Sequence, residues 1–150
     1  MKIEEEIKQS KRFPSDHERL IVNILFTASW LEGITIHRLK PYGISPQQFN
    51  VLRILRGASP KPVALHVITQ RMIDKNSNAT RLVEKLRLNG LVKREICATN
   101  RRQVDITITN KGYELLAELD KTADQWLKRF EHITMQQITQ LNDLLDSIRV

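Results

Sequence analysis

NSNATRLVEKLRLNGLVKREICATNRRQVDITI, residues 76–108, changes its apolar period halfway along, and that change decides the fold. Before Gly90, Ala79, Leu82, Val83 and Leu86 recur three and four apart, which predicts a helix from Asn76 to Asn89 with Gly90 as its C-terminal cap. After Gly90, Val92, Arg94 and Ile96 alternate with Lys93, Glu95 and Cys97. A polar Thr99-Asn100-Arg101 turn intervenes, and Val104, Ile106 and Ile108 then alternate with Gln103, Asp105 and Thr107. Alternation of this kind is a β-hairpin, here with a basic tip.

Immediately upstream, Leu65, Ile68 and Met72 are spaced as one face of a short helix, and Ile73 to Lys75 reads as a break of three or four residues. Two short helices joined by a tight turn form a helix-turn-helix, whose second helix enters the major groove of DNA. With the apolar stripe turned inward, Asn76, Ser77, Asn78, Thr80, Arg81 and Lys85 face outward as candidate reading residues. Asn pairs well with adenine edges and Arg with guanine, while hydroxyls suit phosphate. A hairpin directly after such a helix is a wing, and Asn100, Arg101 and Arg102 are its candidate contacts. Charge agrees with this placement. Residues 61–102 hold ten Lys and Arg against three Asp and Glu, and the remainder holds 14 of each, so the whole net charge of +7 belongs to this central segment. Such a concentration is the footprint of a phosphate-neutralising surface.

Working outward, Ser15 and Glu18 form a capping box for a helix from about 15 to 38, apolar at Leu20, Ile21, Ile24, Leu25, Ala28 and Leu31 and again at Val22, Phe26 and Trp30. A helix apolar on several sides is buried from more than one direction, and one layer is expected to be a second subunit. Ser45-Pro46-Gln47-Gln48 opens another helix, with Phe49, Leu52 and Leu55 as its stripe and Gly57 as its stop. Thr109 is the cap of one long helix running past Leu116, Leu119, Ala123 and Trp126 or Leu127 to Phe130. Thr134 to Gln137 is the capping box of a last helix with Ile138, Leu141, Leu145 and Ile148. The expected fold is mainly α with a small β-hairpin wing. The winged helix-turn-helix (residues 41–110) is flanked by dimerisation helices at residues 1–40 and 111–150.

Other functions find little footing. At 150 residues, 41% apolar and 27% charged, the chain has the composition of a soluble globular domain. Glu4, Glu5 and Glu6 stand where a secretory signal would begin its apolar core. The densest apolar run, Leu20–Phe26, is far too short for a membrane span, so a cytoplasmic protein without a membrane partner is expected. Cys97 is the single cysteine and reads as a small strand residue. His17, His37, His66 and His132 are too dispersed for a metal motif, and the five glycines form no phosphate loop. No catalytic residue, metal or cofactor is therefore expected. A winged helix serving protein contacts alone would present an apolar or acidic outer face on helix 76–89, which is instead polar and basic.

Residues 68–112 resemble the core of the multiple antibiotic resistance regulator (MarR) family. The carriers are Thr80-Arg81-Leu82-Val83, Gly90-Leu91-Val92, Asn100-Arg101-Arg102 and Ile108-Thr109-Asn110-Lys111-Gly112. Asn100 stands where the family usually has an aspartate that holds the tip arginine, and Thr69 where alanine is common. The resemblance implies a homodimer with interlocked terminal helices, set on a pseudo-palindromic operator in double-stranded DNA. It also implies release by a small phenolic or other effector, or by thiol oxidation. Trp30, His37 and Tyr42 lie where an effector pocket between the dimerisation and DNA-binding parts would form.

Overall fold

The longer helices of this chain start on side-chain caps. The computed structural model, which describes residues 1–100 and 102–149, shows them in use. Its elements are α1 (Ile3–Glu6), α2 (Asp16–Leu39), α3 (Pro46–Ala58), β1 (Val63–Ala64), α4 (Leu65–Arg71), α5 (Ala79–Leu88), β2 (Val92–Ile96), β3 (Val104–Ile108), α6 (Asn110–Lys121), α7 (Ala123–Leu127) and α8 (Met135–Ile148). Short 3-10 turns occupy Lys40–Tyr42 and Lys128–Phe130. The Ser15 hydroxyl accepts the Glu18 N–H at 3.2 Å to start α2. Ser45 and Gln48 exchange two bonds of 3.1 and 2.9 Å to start α3, a complete capping box. Thr134 and Gln137 do the same for α8.

Four local expectations need correction. Gly57 does not stop its helix: α3 runs on to Ala58, and the extended Ser59 ends it ahead of Pro60. A glycine inside a helix costs only about 1 kcal/mol against alanine, which neighbouring turns absorb. The hairpin is part of a three-stranded antiparallel sheet of order β1-β3-β2, in which Val63 pairs with Ile106 and Ala64 with Asp105. A two-residue strand has no period to read, so β1 escapes any pattern. The helix expected from Thr109 to Phe130 breaks at Thr122. There the Thr122 hydroxyl and N–H both donate to the Leu119 carbonyl, at 2.8 and 3.1 Å, a tighter turn than the helical ladder. Finally, the helix-turn-helix turn spans Met72 to Asn78 and α5 opens only at Ala79, for reasons given with the site below.

The core lies within the winged part. Leu39, Val51, Leu52, Leu55, Ile68, Met72, Val83, Leu86, Ile106, Leu116 and Leu119 are essentially inaccessible. They bring α3, α4, α5, α6 and the central strand β3 around one apolar centre. The arms differ. Of the 24 residues of α2 only Leu39 is buried, and α8 buries none. Leu25 is 66% exposed and Leu144 63%. An 18-residue window in the helix from Asp16 to Tyr42 reaches a mean hydropathy of 1.4, long and apolar enough by those measures to cross a bilayer. The short Leu20–Phe26 run understates this because the folded helix continues well beyond it. Length and composition do not distinguish a span from a helix that packs against protein.

Candidate nucleic-acid interface

The candidate reading segment begins with a turn held largely by its own side chains. Asp74 accepts the Asn76 N–H at 2.9 Å on one carboxylate oxygen and the Ser77 hydroxyl at 2.9 Å on the other. Asn50, reaching from α3, accepts the Ile73 N–H at 2.9 Å. The Lys75 ammonium donates to the Gln70 carbonyl at the end of α4. Asx bonds of this kind offer the backbone an alternative to helix, which is why Asn76 and Ser77 stay in the turn. Asn78 is the N-cap, its side-chain oxygen accepting the Arg81 N–H at 3.0 Å.

The six expected reading residues therefore divide. Ser77 is half-buried with its hydroxyl proton committed to Asp74, and Asn78 has its oxygen committed to the cap but keeps its amide N–H groups outward. Asn76 is exposed in the turn, and Thr80, Arg81 and Lys85 are exposed on α5. Arg81 and Lys85 lie one turn apart on the same face of the helix, since side chains four residues apart stack above one another. Asp74, Ser77, Asn78, Arg81 and Lys85 line, with Gln47 and Leu82, a shallow open cleft of about 390 Å³. The inward stripe is Ala79, Val83 and Leu86, with Leu82 only partly covered. Asp74 and Asn50 escaped the sequence reading. The Asp-Lys-Asn-Ser run was the available signal for the first; the second, 23 residues from the N–H it accepts, left none.

In the wing, five residue pairs run from Val92 opposite Ile108 to Ile96 opposite Val104. Only Val92 of β2 is buried, and Ile96 is 70% exposed, because the hairpin extends beyond the core that would cover its inner face. At the tip, the Cys97 N–H donates to the Gln103 carbonyl and the Gln103 N–H to the Asn100 carbonyl, both at 2.9 Å. The side-chain oxygen of Asn100 accepts the Arg102 N–H at 3.1 Å. Asparagine thus folds the tip backbone with an oxygen that an aspartate would also supply. Arg102 is exposed; the expected contact Arg101 lies outside the described residues. Cys97 sits just past the end of β2, half-buried, with its sulfur 3.3 Å from the Thr99 hydroxyl.

Electrostatics within the site are uneven. Glu84 on α5 takes two hydrogen bonds from Arg87, at 2.7 and 3.0 Å. That pairing, with a smaller contribution from Arg94, holds the Glu84 carboxyl below its usual range. Arg87 is thereby charge-matched within the protein. Among the described residues Arg81, Lys85 and Arg102 take part in no ion pair, which leaves their cations for a partner.

The root of the wing is a knot. Gly90 has φ +73°, the left-handed conformation that favours glycine. The Leu91 N–H reaches the Leu86 carbonyl and the Gly90 N–H the Arg87 carbonyl, both at 2.9 Å, which is a Schellman ending for α5. Thr109 closes the far end: its hydroxyl donates to the Gly90 carbonyl at 2.7 Å and accepts the Gly112 N–H at 3.1 Å. Lys111 donates to the Asn89 carbonyl at 2.9 Å. A Cβ on Gly112 would lie 2.5 Å from the Leu91 carbonyl oxygen, so only glycine fits this approach. The Gly90-Leu91-Val92 and Ile108-to-Gly112 motifs are two sides of one joint.

The expected effector residues lie at the base of the N-terminal arm. Trp30 is 46% exposed and His37 is exposed two helical turns on, while Tyr42 packs against the core from the 3-10 turn. The two clefts on the reading segment and the wing are lined by other residues. Among the described residues no group of three or more His, Cys, Asp or Glu gathers as a metal site.

No family model matches the chain. The HTH-type transcriptional regulator YkoM of Bacillus subtilis is 32% identical over 85 residues. That alignment covers 57% of this chain and 54% of the relative, so it spans about half the length of each. A MarR transcription factor from Planctomyces limnophilus is 29% identical in solved form, over 90% of this chain and 98% of its own, with a TM-score of 0.69. MarR of Escherichia coli, as a cysteine-to-serine mutant complexed with operator DNA, shares the fold at a TM-score of 0.79 and 18% identity, over 92% of this chain and 99% of its own. The first two are named as regulators of transcription. In fold, in the order of its motifs and in sequence, the chain is similar to MarR-family winged-helix transcription regulators.

Proposed function

We propose that the protein is a sequence-specific double-stranded DNA-binding repressor. It acts in the cytoplasm as a homodimer on a pseudo-palindromic operator. The observation that carries this reading is the run of exposed polar and basic side chains on the turn and first half of α5, continued through the Gly90 joint into a basic wing. In this reading Asn76, Ser77, Asn78, Thr80, Arg81 and Lys85 approach base edges and phosphates of one major groove. Asn100, Arg101 and Arg102 lie along the adjacent groove.

The homodimer rests on the arms. Leu20, Ile21, Leu25, Trp30 and Ile36 on α2 and Leu141, Leu144 and Ile148 on α8 are about half exposed or more. A second copy covering both arms would bury an interface of the size usual for obligate dimers, above about 2,000 Å². That contact also accounts for the hydropathy of α2 without a membrane. Two-fold symmetry then sets two reading helices about one DNA turn apart. A small aromatic effector at the base of the arm, near Trp30, His37 and Tyr42, would act by changing that distance.

Selection of bound sites from random duplex DNA, with a salt titration on the recovered site, tests the proposal. The expected result is a two-fold symmetric motif and an affinity that falls steeply with salt. Recovery of no motif, or a folded monomer by sedimentation at micromolar concentration, would overturn it.

A further inference from the structure

The two arms are nearly free of the core, yet they are bolted together at their roots by one side chain. Arg38 lies in the last turn of α2, one residue before Leu39 enters the core. Its guanidinium donates to the Leu119 carbonyl at 2.8 Å and to the Thr122 hydroxyl at 3.3 and 3.2 Å, reaching across 81 and 84 residues of sequence. Those acceptors are the C-terminal end of α6, where carbonyls lack helical partners and a cation is favoured. The same guanidinium lies 5.5 Å from the centre of the Trp126 ring on α7, and Arg129 lies 5.9 Å from that ring. Phe130 meets Trp126 edge-on at 6.4 Å.

The place of this contact matters as much as its bonds. Thr122 is the single residue that separates α6 from α7, and its hydroxyl donates to Leu119 while accepting from Arg38. Neither α7 nor α8 buries a residue, so little else fixes how the C-terminal arm leaves the core. A guanidinium presents several donors in a rigid plane and stacks on an aromatic face. It therefore defines an angle where a flexible contact would not.

We propose that Arg38 is a positioning residue. By gripping the end of α6 and the start of α7, it fixes the angle between the arms and the winged core, and through the dimer the separation of the two reading lobes. This inference rests on the homodimeric reading above. Arg38 touches no reading residue, so its removal should alter which half-site spacings are accepted and leave recognition of a half-site alone.

The test measures binding of the full-length protein to selected duplexes carrying two half-sites at the recovered spacing, to the same duplexes lengthened or shortened by two base pairs, and to a single half-site. Arg38→Ala should shrink the parent's preference for the recovered spacing by roughly fivefold or more, leaving half-site affinity within about twofold. Thr122→Val, which removes only the gripped hydroxyl, should move the spacing profile in the same direction by less. It also provides the answer if Arg38→Ala fails to fold by circular dichroism. A dimeric parent whose spacing profile survives both substitutions overturns the role of Arg38, as does a loss equal on half-site and full site. A monomeric parent, or a dimeric one indifferent to spacing, instead overturns the dimer reading and this inference with it.

Discussion

The winged core and the arms of this protein are built on opposite terms. In the core, α3, α4, α5, α6 and β3 bury eleven side chains almost completely around one centre, counting Leu39 from the end of α2. In the arms, apolar helices leave Leu25, Leu127 and Leu144 more than half in water. The core covers its own apolar side chains; the arms of the single chain leave most of theirs exposed. Apolar content alone therefore does not tell where stability resides, because an apolar stripe stabilises only what covers it.

The contrast is broken most severely by cutting into the core. Leu52→Ala, at a fully buried position, should cost about 2–5 kcal/mol, visible as the same loss in chemical denaturation at every protein concentration. Leu25→Asp should behave in the opposite way. The parent's melting temperature should rise with protein concentration through the proposed dimer, and this variant should lose that dependence. A concentration-independent parent would place the arms' stability within the single chain.

Next in size, Gly112→Ala should destabilise by about 1–3 kcal/mol by pushing α6 away from Leu91, and it should weaken DNA binding because the joint that orients the wing opens. Denaturation and operator affinity measured together check it; an unchanged pair would mean that the joint yields freely. Within the interface, Arg81→Ala should leave stability unchanged while relaxing base preference by roughly 1–3 kcal/mol. Arg102→Ala should instead weaken all sequences and lower the salt slope by about one. Parent-like binding by Arg102→Ala would remove the wing from the interface.

The smallest effect concerns the N-terminal hook. Arg19 donates to Glu4 at 2.6 Å, and this hydrogen bond, the largest influence on Glu4, holds its carboxyl below the ordinary value of 4.5. A depressed folded value means that the contribution is present above the ordinary value and is lost as pH falls through the folded one. Below pH 4.5, therefore, α1 should progressively come away from α2, leaving the core intact. Faster hydrogen exchange at the Ile7 N–H, which donates to Ile3 at 3.1 Å, would report it, and Glu4→Gln should show the same loosening at neutral pH. Exchange at Ile7 that ignores both changes would assign the hook to Ile3 burial alone.

What was legible in the sequence was local. Ser45 with Gln48, Thr134 with Gln137, and Gly90 each act within a few residues of themselves, so their reading needs no fold. The switch from helical to alternating period at Gly90 likewise survives any tertiary arrangement. Three of the misses have partners that no local pattern displays. β1 exists because Val63 meets Ile106; α6 ends where Arg38 arrives from the other arm; α5 starts late because Asp74 holds Asn76 and Ser77. In the interface, residue types were readable where roles were not: Asn78 reads as a base contact, and its oxygen is spent on a cap.

The Gly90, Thr109 and Gly112 joint also has a consequence for how this interface can change over time. Because Thr109 ties the two ends of the hairpin together at its base, the segment between them is closed before its tip is specified. Residues inserted, deleted or exchanged around Asn100 should pass little strain into α5. Wing length and tip chemistry should therefore be free to diverge, or to be transplanted from one chain to another, while α5 keeps its orientation.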